Sequence, residues 1–270
     1  MDTDRDNLNL LENVLRDLIE KVLRKPHGDT WLAHTGLTQD RLDKWQERRD
    51  EEPKRRPGGE VDQRLLYYAD FPDVVAIIQK NWAGGFKDCF HDRKRFDVYM
   101  DRLSAFRNPH AHSRELLPFE QQLVVGMTGQ LRQEITVFLS TGGTGPEPEL
   151  FPRIEEVRDN FGTRAVGQAT DNTNVGEGTS TMVLHPGDKL AFVARAWDPE
   201  DGPIKWTVHF PTQNRILDFK GHVIEVEWTI ELRDVAQSSY LYFQIASTRP
   251  YHRHTDGHDD ATSMRYVIRP

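Results

Sequence analysis

The sequence predicts a two-domain protein in which an α-helical domain precedes a β-sheet domain. Up to residue 140 the apolar residues recur at the spacing of amphipathic helices, whereas beyond residue 181 they alternate with polar residues as in strands. Residues 141–180 between them are rich in Gly, Pro and small polar residues, which is typical of a linker. We therefore predict an antiparallel helical bundle over residues 1–140 and an antiparallel β-sandwich over residues 181–270.

Composition limits the classes of function. The 270 residues carry a net charge of −8, with 37% hydrophobic and 29% charged residues. Such a charge argues against a broad surface that coats nucleic acid, because these surfaces are basic, but it allows a local basic groove. No segment approaches the roughly 18 apolar residues of a membrane span, and the acidic N-terminus lacks a secretory pattern. The single cysteine, Cys89, excludes an internal disulfide and a thiolate metal cluster. We expect a cytoplasmic protein without membrane association.

The helical domain begins with its clearest element. In residues 7–24 leucine and valine fall on one face, and acidic residues near the start and basic residues at the end suit the helix dipole. Pro26 and Gly28 predict its end, and Pro72 predicts a later helix start. Further helical patterns cover residues 31–45, 62–79, 92–106 and 116–140. Four or five helices with short connections favour the bundle.

The second domain is predicted from period-two segments separated by turn residues. Six strand candidates cover residues 181–185, 189–197, 204–210, 222–230, 239–247 and 263–270, and residues 214–219 are a seventh. Residues 151–161 before them are a candidate short helix. Because no disulfide can connect the sheets, the core is expected to depend on Trp197, Trp206 and Trp228. We interpret the aromatic residues of this domain as core rather than as platforms for stacked bases.

The strongest functional signal is the stretch Arg107-Asn108-Pro109-His110-Ala111-His112 between two predicted helices. RNA carries its own nucleophile, the 2′-hydroxyl, so cleavage needs proton transfer and phosphate stabilisation. Histidine suits proton transfer because its pKa lies near neutrality. Arginine is permanently charged and can bind two phosphate oxygens together. The stretch therefore predicts cleavage of a phosphodiester without a metal.

The pattern Arg-Asn-x-x-x-His, formed by Arg107, Asn108 and His112, resembles the signature of the HEPN ribonuclease superfamily. The resemblance covers residues 1–140 and is strongest to the branch found in bacterial defence and toxin proteins. It implies a metal-independent endoribonuclease that leaves a 2′,3′-cyclic phosphate and a 5′-hydroxyl. It also implies a homodimer in which two copies of the motif form one composite cleft.

The resemblance implies a role for each motif residue. Arg107 would bind the scissile phosphate, His112 would act as general base or acid, and Asn108 would be the accompanying polar residue. His110 has no fixed place in the motif. Neighbouring basic residues are expected to bind RNA: Lys94, Arg102 and Arg114. No metal and no cofactor is expected.

Two alternatives to this interpretation stay open. The stretch could be a helix-capping turn whose Arg and His form surface ion pairs. The protein could also be a non-catalytic dimeric scaffold that binds RNA or protein, with the β-sandwich as its recognition module. In either case the sandwich resembles immunoglobulin-like and PKD-like modules. It could sense a ligand, regulate the nuclease, or contact a host or phage protein.

Three other segments receive a structural interpretation. Residues 251–260 contain His252, His254 and His258 with nearby carboxylates, but their spacing follows no closed metal-site pattern, so a polar hairpin is favoured. Residues 198–202 resemble the calcium-binding turns of some cadherin-like and PKD-like modules, and a plain tight turn is favoured. Residues 142–145 are Gly-rich without a following lysine, which excludes a phosphate-binding loop.

Overall fold

A helical N-terminal region is followed by a β-rich C-terminal region with two sheets, as the sequence predicts. The computed structural model describes residues 3–55, 61–107, 116–140, 151–167 and 177–270. The chain divides into two compact units: Met1–Glu51 with Gln63–Phe138, and Glu52–Asp62 with Leu139–Pro270. We call these the helical unit and the β unit.

The helical unit is built around its first helix. Its helices are α1 (Thr3–His27), α2 (Gln39–Arg55), α3 (Phe71–Lys80), α4 (Lys87–Phe90), α5 (Arg93–Arg107) and α6 (Pro118–Ser140). Helix α1 contacts α3 and α5 and buries Leu11, Leu15 and Leu18 completely. These residues follow the helical repeat, so one apolar stripe of α1 forms the centre of this core.

Several predicted helix boundaries shift for local reasons. Pro26 lies within the last turn of α1 rather than after it. The pattern from Trp31 onward forms a 3-10 turn, Gly28–His34, and α2 begins only at Gln39 because Gly36 has a positive φ of 73°. The predicted helix over 62–79 begins as a 3-10 turn, Leu65–Tyr68, before α3 starts with Pro72 in its first turn, as expected.

The described residues of the β unit form nine strands in two sheets. The strands are β1 (Arg153–Asp159), β2 (Arg164–Ala165), β3 (Gly178–Leu184), β4 (Lys189–Trp197), β5 (Ile204–Phe210), β6 (Arg215–Lys220), β7 (Val223–Thr229), β8 (Ala236–Ser247) and β9 (Asp260–Ile268). The first sheet has the order β2-β1-β4-β7 and the second the order β3-β9-β8-β5-β6. Inward residues of both sheets form one buried hydrophobic cluster that includes Trp206, Trp228 and Phe243.

The structure differs from the prediction for this half in four respects. Residues 151–161 do not form a helix, because β1 pairs with β2 on one side and β4 on the other, and this pairing overrides local preference. Strands β1 and β2 thus lie within the segment predicted as linker. Pairing is not wholly antiparallel, since β3 runs parallel to β9. Trp197 is only half-buried, because β4 turns its alternate residues, including Ala196, toward the core.

Candidate functional site

Arg107 is the last residue of α5 and lies on the buried side of that helix. Phe96, Met100 and Leu103 precede it at intervals of three and four residues, and all three are buried. This spacing directs Arg107 toward the interior of the helical unit. Its guanidinium forms an ion pair with Glu12 of α1 and lies 5.2 Å from the centre of the Phe71 ring. The side chain remains 32% exposed, so solvent still reaches it.

Glu12 joins two guanidinium groups. One carboxylate oxygen, Oε2, pairs with Arg107, and the other, Oε1, accepts a hydrogen bond of 2.5 Å from Arg16. Arg16 also donates to the carbonyl oxygen of Ala69 at 2.8 Å and lies 5.6 Å from the centre of the Tyr67 ring. Glu12 is only 2% exposed. We call Glu12, Arg16 and Arg107 the arginine–glutamate cluster.

The charge of the arginine–glutamate cluster suits an anion. Two guanidinium groups face one carboxylate, so these three side chains together carry one positive charge in excess. A buried carboxylate without partners would be strongly unfavourable, and the two ion pairs remove that cost. Glu12 therefore fixes the position of Arg107 without cancelling the positive charge of the site.

Glu12 and Arg16 were not predicted from the sequence, although a signal for Glu12 is present. Leu8, Leu15 and Ile19 form part of the apolar stripe of α1, and Glu12 occupies the same stripe at helical spacing. A carboxylate at a core position needs a buried cationic partner. That requirement points to an arginine elsewhere in the helical domain without identifying it as Arg107.

The structure does not bring all predicted site residues together. Lys94 and Arg102 are exposed on α5, and the helical repeat of 100° per residue places each about 140° around the helix from Arg107. They therefore do not extend the arginine–glutamate cluster. Four residues singled out in the sequence lie outside the described residues: Asn108, His110, His112 and Arg114.

An exposed apolar surface begins two residues beyond the undescribed part of the motif region. Phe119 is 57% exposed and Leu123 is 40% exposed, and they lie one helical turn apart on α6. Leu117, just before α6, and Val125 are also exposed, but the helical repeat places Val125 about 160° around the helix from Leu123. Clustered apolar side chains on a surface are typical of a protein interface. We call Phe119 and Leu123 the α6 apolar surface.

The histidine-rich segment of the β unit forms internal pairs. His258 lies 2.7 Å from Asp256, His252 lies 3.2 Å from Asp259, and the His254 and His258 rings stack at 4.3 Å. Burial lowers the pKa of His254, with His258 and Arg253 adding to the effect. The part of the chain that the structure describes contains no group of three His, Cys, Asp or Glu residues suited to a metal ion.

The acidic turn after β4 already contains a cation. Arg249 donates to Asp198 at 2.8 Å and to Glu200 at 2.7 Å. Asp198 also accepts a hydrogen bond from the backbone N–H of Glu200, as in a tight turn. The guanidinium of Arg249 thus pairs with two of the carboxylates that a calcium ion would need.

In the described helices there is no stretch long and apolar enough to cross a membrane.

Comparison with known proteins finds a family model that matches part of the chain. Residues 7–125, which run from α1 into α6, match the model of the Swt1-like HEPN family. This match supports a HEPN domain at the N-terminus. No curated protein matches the sequence significantly.

One solved structure is similar to the chain at a low level. It is the Pseudomonas fluorescens alkylpurine DNA glycosylase AlkC bound to DNA containing an abasic site analog, with 12% identity and a TM-score of 0.24. The match covers 90% of this chain and 65% of the glycosylase chain.

Proposed function

We propose that the helical unit, with its match to Swt1-like HEPN domains, is a metal-independent endoribonuclease. The observation that carries this proposal is the ion pair between the buried Glu12 and Arg107, the first residue of the predicted motif. It holds a guanidinium at the end of α5, where the chain continues into Asn108 and His112. The proposed setting is bacterial anti-phage defence or a toxin system.

The proposed reaction uses the 2′-hydroxyl of RNA as nucleophile. His112 removes the 2′-hydroxyl proton or protonates the leaving 5′-oxygen, and Asn108 supplies a hydrogen bond. Arg107 stabilises the charge that develops on the phosphate, which is worth most where water is partly excluded. The P–O2′ bond forms and the P–O5′ bond breaks, which leaves a 2′,3′-cyclic phosphate and a 5′-hydroxyl. Lys94, Arg102 and Arg114 are proposed to bind the RNA away from the reacting phosphate.

We propose that two copies of the chain form one active site. One motif supplies a single histidine at position 112, whereas the reaction benefits from both a base and an acid. The α6 apolar surface lies close in sequence to the motif and is exposed in the single chain. Burying Phe119 and Leu123 against a second copy would bring two motifs toward one cleft.

The β unit is proposed to be an immunoglobulin-like sandwich that senses a ligand or a regulatory or phage protein. Its two sheets of four and five strands share one hydrophobic core, and its third strand joins the second sheet in parallel with its last strand. This arrangement supports a sandwich that begins with β1 rather than at residue 181.

The test of cleavage uses the purified full-length protein and total RNA. We expect cleavage to persist in EDTA and to yield ends that carry a cyclic phosphate. Arg107→Ala and His112→Ala should each abolish cleavage, while circular dichroism shows an unchanged fold for His112→Ala. Strict dependence on Mg²⁺, or unchanged cleavage by both variants, would contradict the proposed chemistry.

The test of the dimer uses the α6 apolar surface. Leu123→Glu places a charge on that surface without changing a buried residue, so the dimer should dissociate and cleavage should fall with it. Size-exclusion chromatography with light scattering measures the mass. Val98→Glu is the matched control, because Val98 is also exposed but belongs to α5. A monomeric wild-type protein that cleaves RNA would refute the composite site.

A non-catalytic scaffold is the second candidate, and one observation favours it. Arg107 already has a buried anionic partner and an aromatic contact, so it can serve a purely structural purpose. A scaffold would bind RNA in gel-shift assays without cutting it under any metal or pH condition. Cleavage that depends on His112 excludes this alternative.

A further inference from the structure

The outward face of the second sheet contains a cavity that the proposed function does not use. Its volume is about 300 Å³, and it is lined by His209, Tyr242, Gln244, Ala261, Thr262 and Ser263. Strand register explains the cavity: Tyr242 of β8 has His209 of β5 as its neighbour on one side and Ser263 of β9 on the other. The small side chains of β9 leave space beside the larger rings of β8 and β5.

Aromatic rings form one wall of this cavity. The rings of His209 and Tyr242 lie 6.3 Å apart with an angle of 32° between their planes. Tyr240 lies two residues earlier on the same face of β8. Its ring centre is 5.8 Å from that of Tyr242, and the two rings are nearly parallel. Tyr242 is 40% exposed. The expectation that the aromatic residues of this domain all belong to the core therefore fails for Tyr242, which presents its ring to solvent.

The polar groups around the cavity have unused hydrogen-bonding capacity. Among the described residues, the side chains of Gln244 and Ser263 have no hydrogen-bond partner, and Ser263 is only 8% exposed. By contrast, the neighbouring Thr207 on the same face donates to Asp218 at 2.9 Å. Neither group belongs to the enclosed polar atoms that lack a partner, so both are open to the solvent-filled cavity and available to a ligand that displaces water.

The lining carries no carboxylate, ammonium or guanidinium group among the described residues. The chemistry of the cavity therefore favours an uncharged ring with hydrogen-bonding edges over an anion or a cation. Burial raises the pKa of Tyr242, with Tyr240 and Glu177 contributing, so its phenol stays protonated at neutral pH. An aromatic ring beside a free amide and a free hydroxyl is the combination that recognises unpaired bases.

We propose that this cavity binds an unpaired nucleobase and that adenine fits it best. The base stacks on Tyr242, and the amide of Gln244 both donates to and accepts from its edge. Glutamine makes this paired contact with the N6 and N7 atoms of adenine. Ser263 supplies one further hydrogen bond from the floor of the cavity.

The surroundings show where the rest of the ligand would lie. Arg265 is the cross-strand neighbour of Tyr240, one row along the sheet from the cavity. Successive rows on one face of a strand are about 6.7 Å apart, so a phosphate attached to the bound nucleoside can reach Arg265. A free adenosine and an unpaired adenosine within an RNA strand share the same base chemistry, and only the second would also engage Arg265.

The experiment measures binding by the full-length protein without requiring cleavage. The probes are adenosine, a short 2′-O-methyl oligoadenylate, the matching oligouridylate and an abasic oligomer of the same length. The 2′-O-methyl group removes the nucleophile, so binding is measured whether or not the helical unit is a nuclease. Fluorescence anisotropy with labelled oligomers, and competition by adenosine, give the dissociation constants. If free adenosine competes with the labelled oligomer, the nucleoside alone is sufficient for binding to the cavity. If Arg265→Ala lowers the affinity for the oligoadenylate, the ligand is an RNA strand whose phosphate contacts Arg265.

We expect the oligoadenylate to bind more tightly than the oligouridylate and the abasic oligomer. Tyr242→Ala should weaken binding about tenfold or more, as expected for the loss of one stacked base, and Tyr242→Phe should retain it. Gln244→Ala should reduce the preference for oligoadenylate over oligouridylate. Tyr251→Ala is the matched control, because Tyr251 is an exposed tyrosine of the β unit that does not line the cavity.

Two results would overturn the inference. One is equal binding of the abasic oligomer and the oligoadenylate, which would show recognition of the backbone alone. The other is unchanged binding by Tyr242→Ala in a protein whose circular dichroism and melting temperature match the wild type. If the wild-type protein does not cleave RNA but binds the oligoadenylate through Tyr242, the nuclease proposal is refuted and the base-binding proposal is supported.

Discussion

Replacing Glu12 by glutamine tests the arginine–glutamate cluster directly. The change keeps the size of the side chain and removes the negative charge between Arg16 and Arg107. Two guanidinium groups would then lie on either side of a neutral amide whose own position is nearly buried. We expect both a loss of stability in the helical unit and a displacement of Arg107.

The size of the effect follows from the exposure of each group. Breaking a buried ion pair costs about 3–5 kcal/mol when the remaining charge is fully enclosed. Here Arg107 is one-third exposed and Arg16 less so, and water can solvate part of the freed charge. We therefore expect a loss of about 2–3 kcal/mol, which lowers the melting temperature of a domain of this size by about 10 °C. A displacement of Arg107 by about 1 Å would slow the proposed cleavage about a hundredfold.

The assay is a double-mutant cycle of Glu12→Gln and Arg107→Met. Urea unfolding followed by circular dichroism gives the free energy of unfolding for each variant. If the ion pair is as close as the structure shows, the coupling free energy between positions 12 and 107 should be about 1.5–2 kcal/mol. A coupling free energy below about 0.5 kcal/mol would refute the reasoning, because the two side chains would then act independently.

Two further predictions concern stability elsewhere in the chain. Asp73→Ala should lower the free energy of unfolding by about 2 kcal/mol, because the buried Asp73 accepts a hydrogen bond of 2.9 Å from the Trp45 indole, which would lose its partner; an unchanged urea midpoint would contradict this. The pKa of His254 is lower in the folded chain than its usual 6.5. At pH values between the lowered pKa and 6.5 the unfolded chain therefore binds more protons than the folded chain. The free energy of unfolding should thus decrease as the pH falls below 6.5. His254→Phe should reduce the fall in the melting temperature of the β unit between about pH 7.5 and pH 5.5, and an identical fall in both proteins would contradict the assignment.

Strong local patterns made several strands predictable. The bounds of β4 and β5 match the predicted segments 189–197 and 204–210, because a buried apolar residue recurs at every second position along both. Strand β1 was missed because Glu155 and Glu156 interrupt that alternation, and its strand form depends on pairing with distant β4.

The site residues also divide into those that local sequence predicts and those that depend on tertiary packing. Arg107 was found because it belongs to a local motif, and the structure adds the place of its side chain. Its partner Glu12 lies near the start of the helical domain in the sequence, far from Arg107, and only tertiary packing brings the two side chains together. The outward position of Tyr242 likewise depends on strand register, which a one-residue shift would reverse.

The parallel pairing of β3 with β9 sets an order for folding during synthesis. Among the described strands, β9 is the only hydrogen-bonded neighbour of β3, and it is the last of the nine to leave the ribosome. Strand β3 must therefore wait, without a partner, while the five intervening strands are made. The helical unit precedes all of them and makes its core contacts within its own segments. A growing chain would accordingly present a folded helical unit before the β unit could be completed, so any restraint that the β unit imposes would arrive only after β9 has been synthesised.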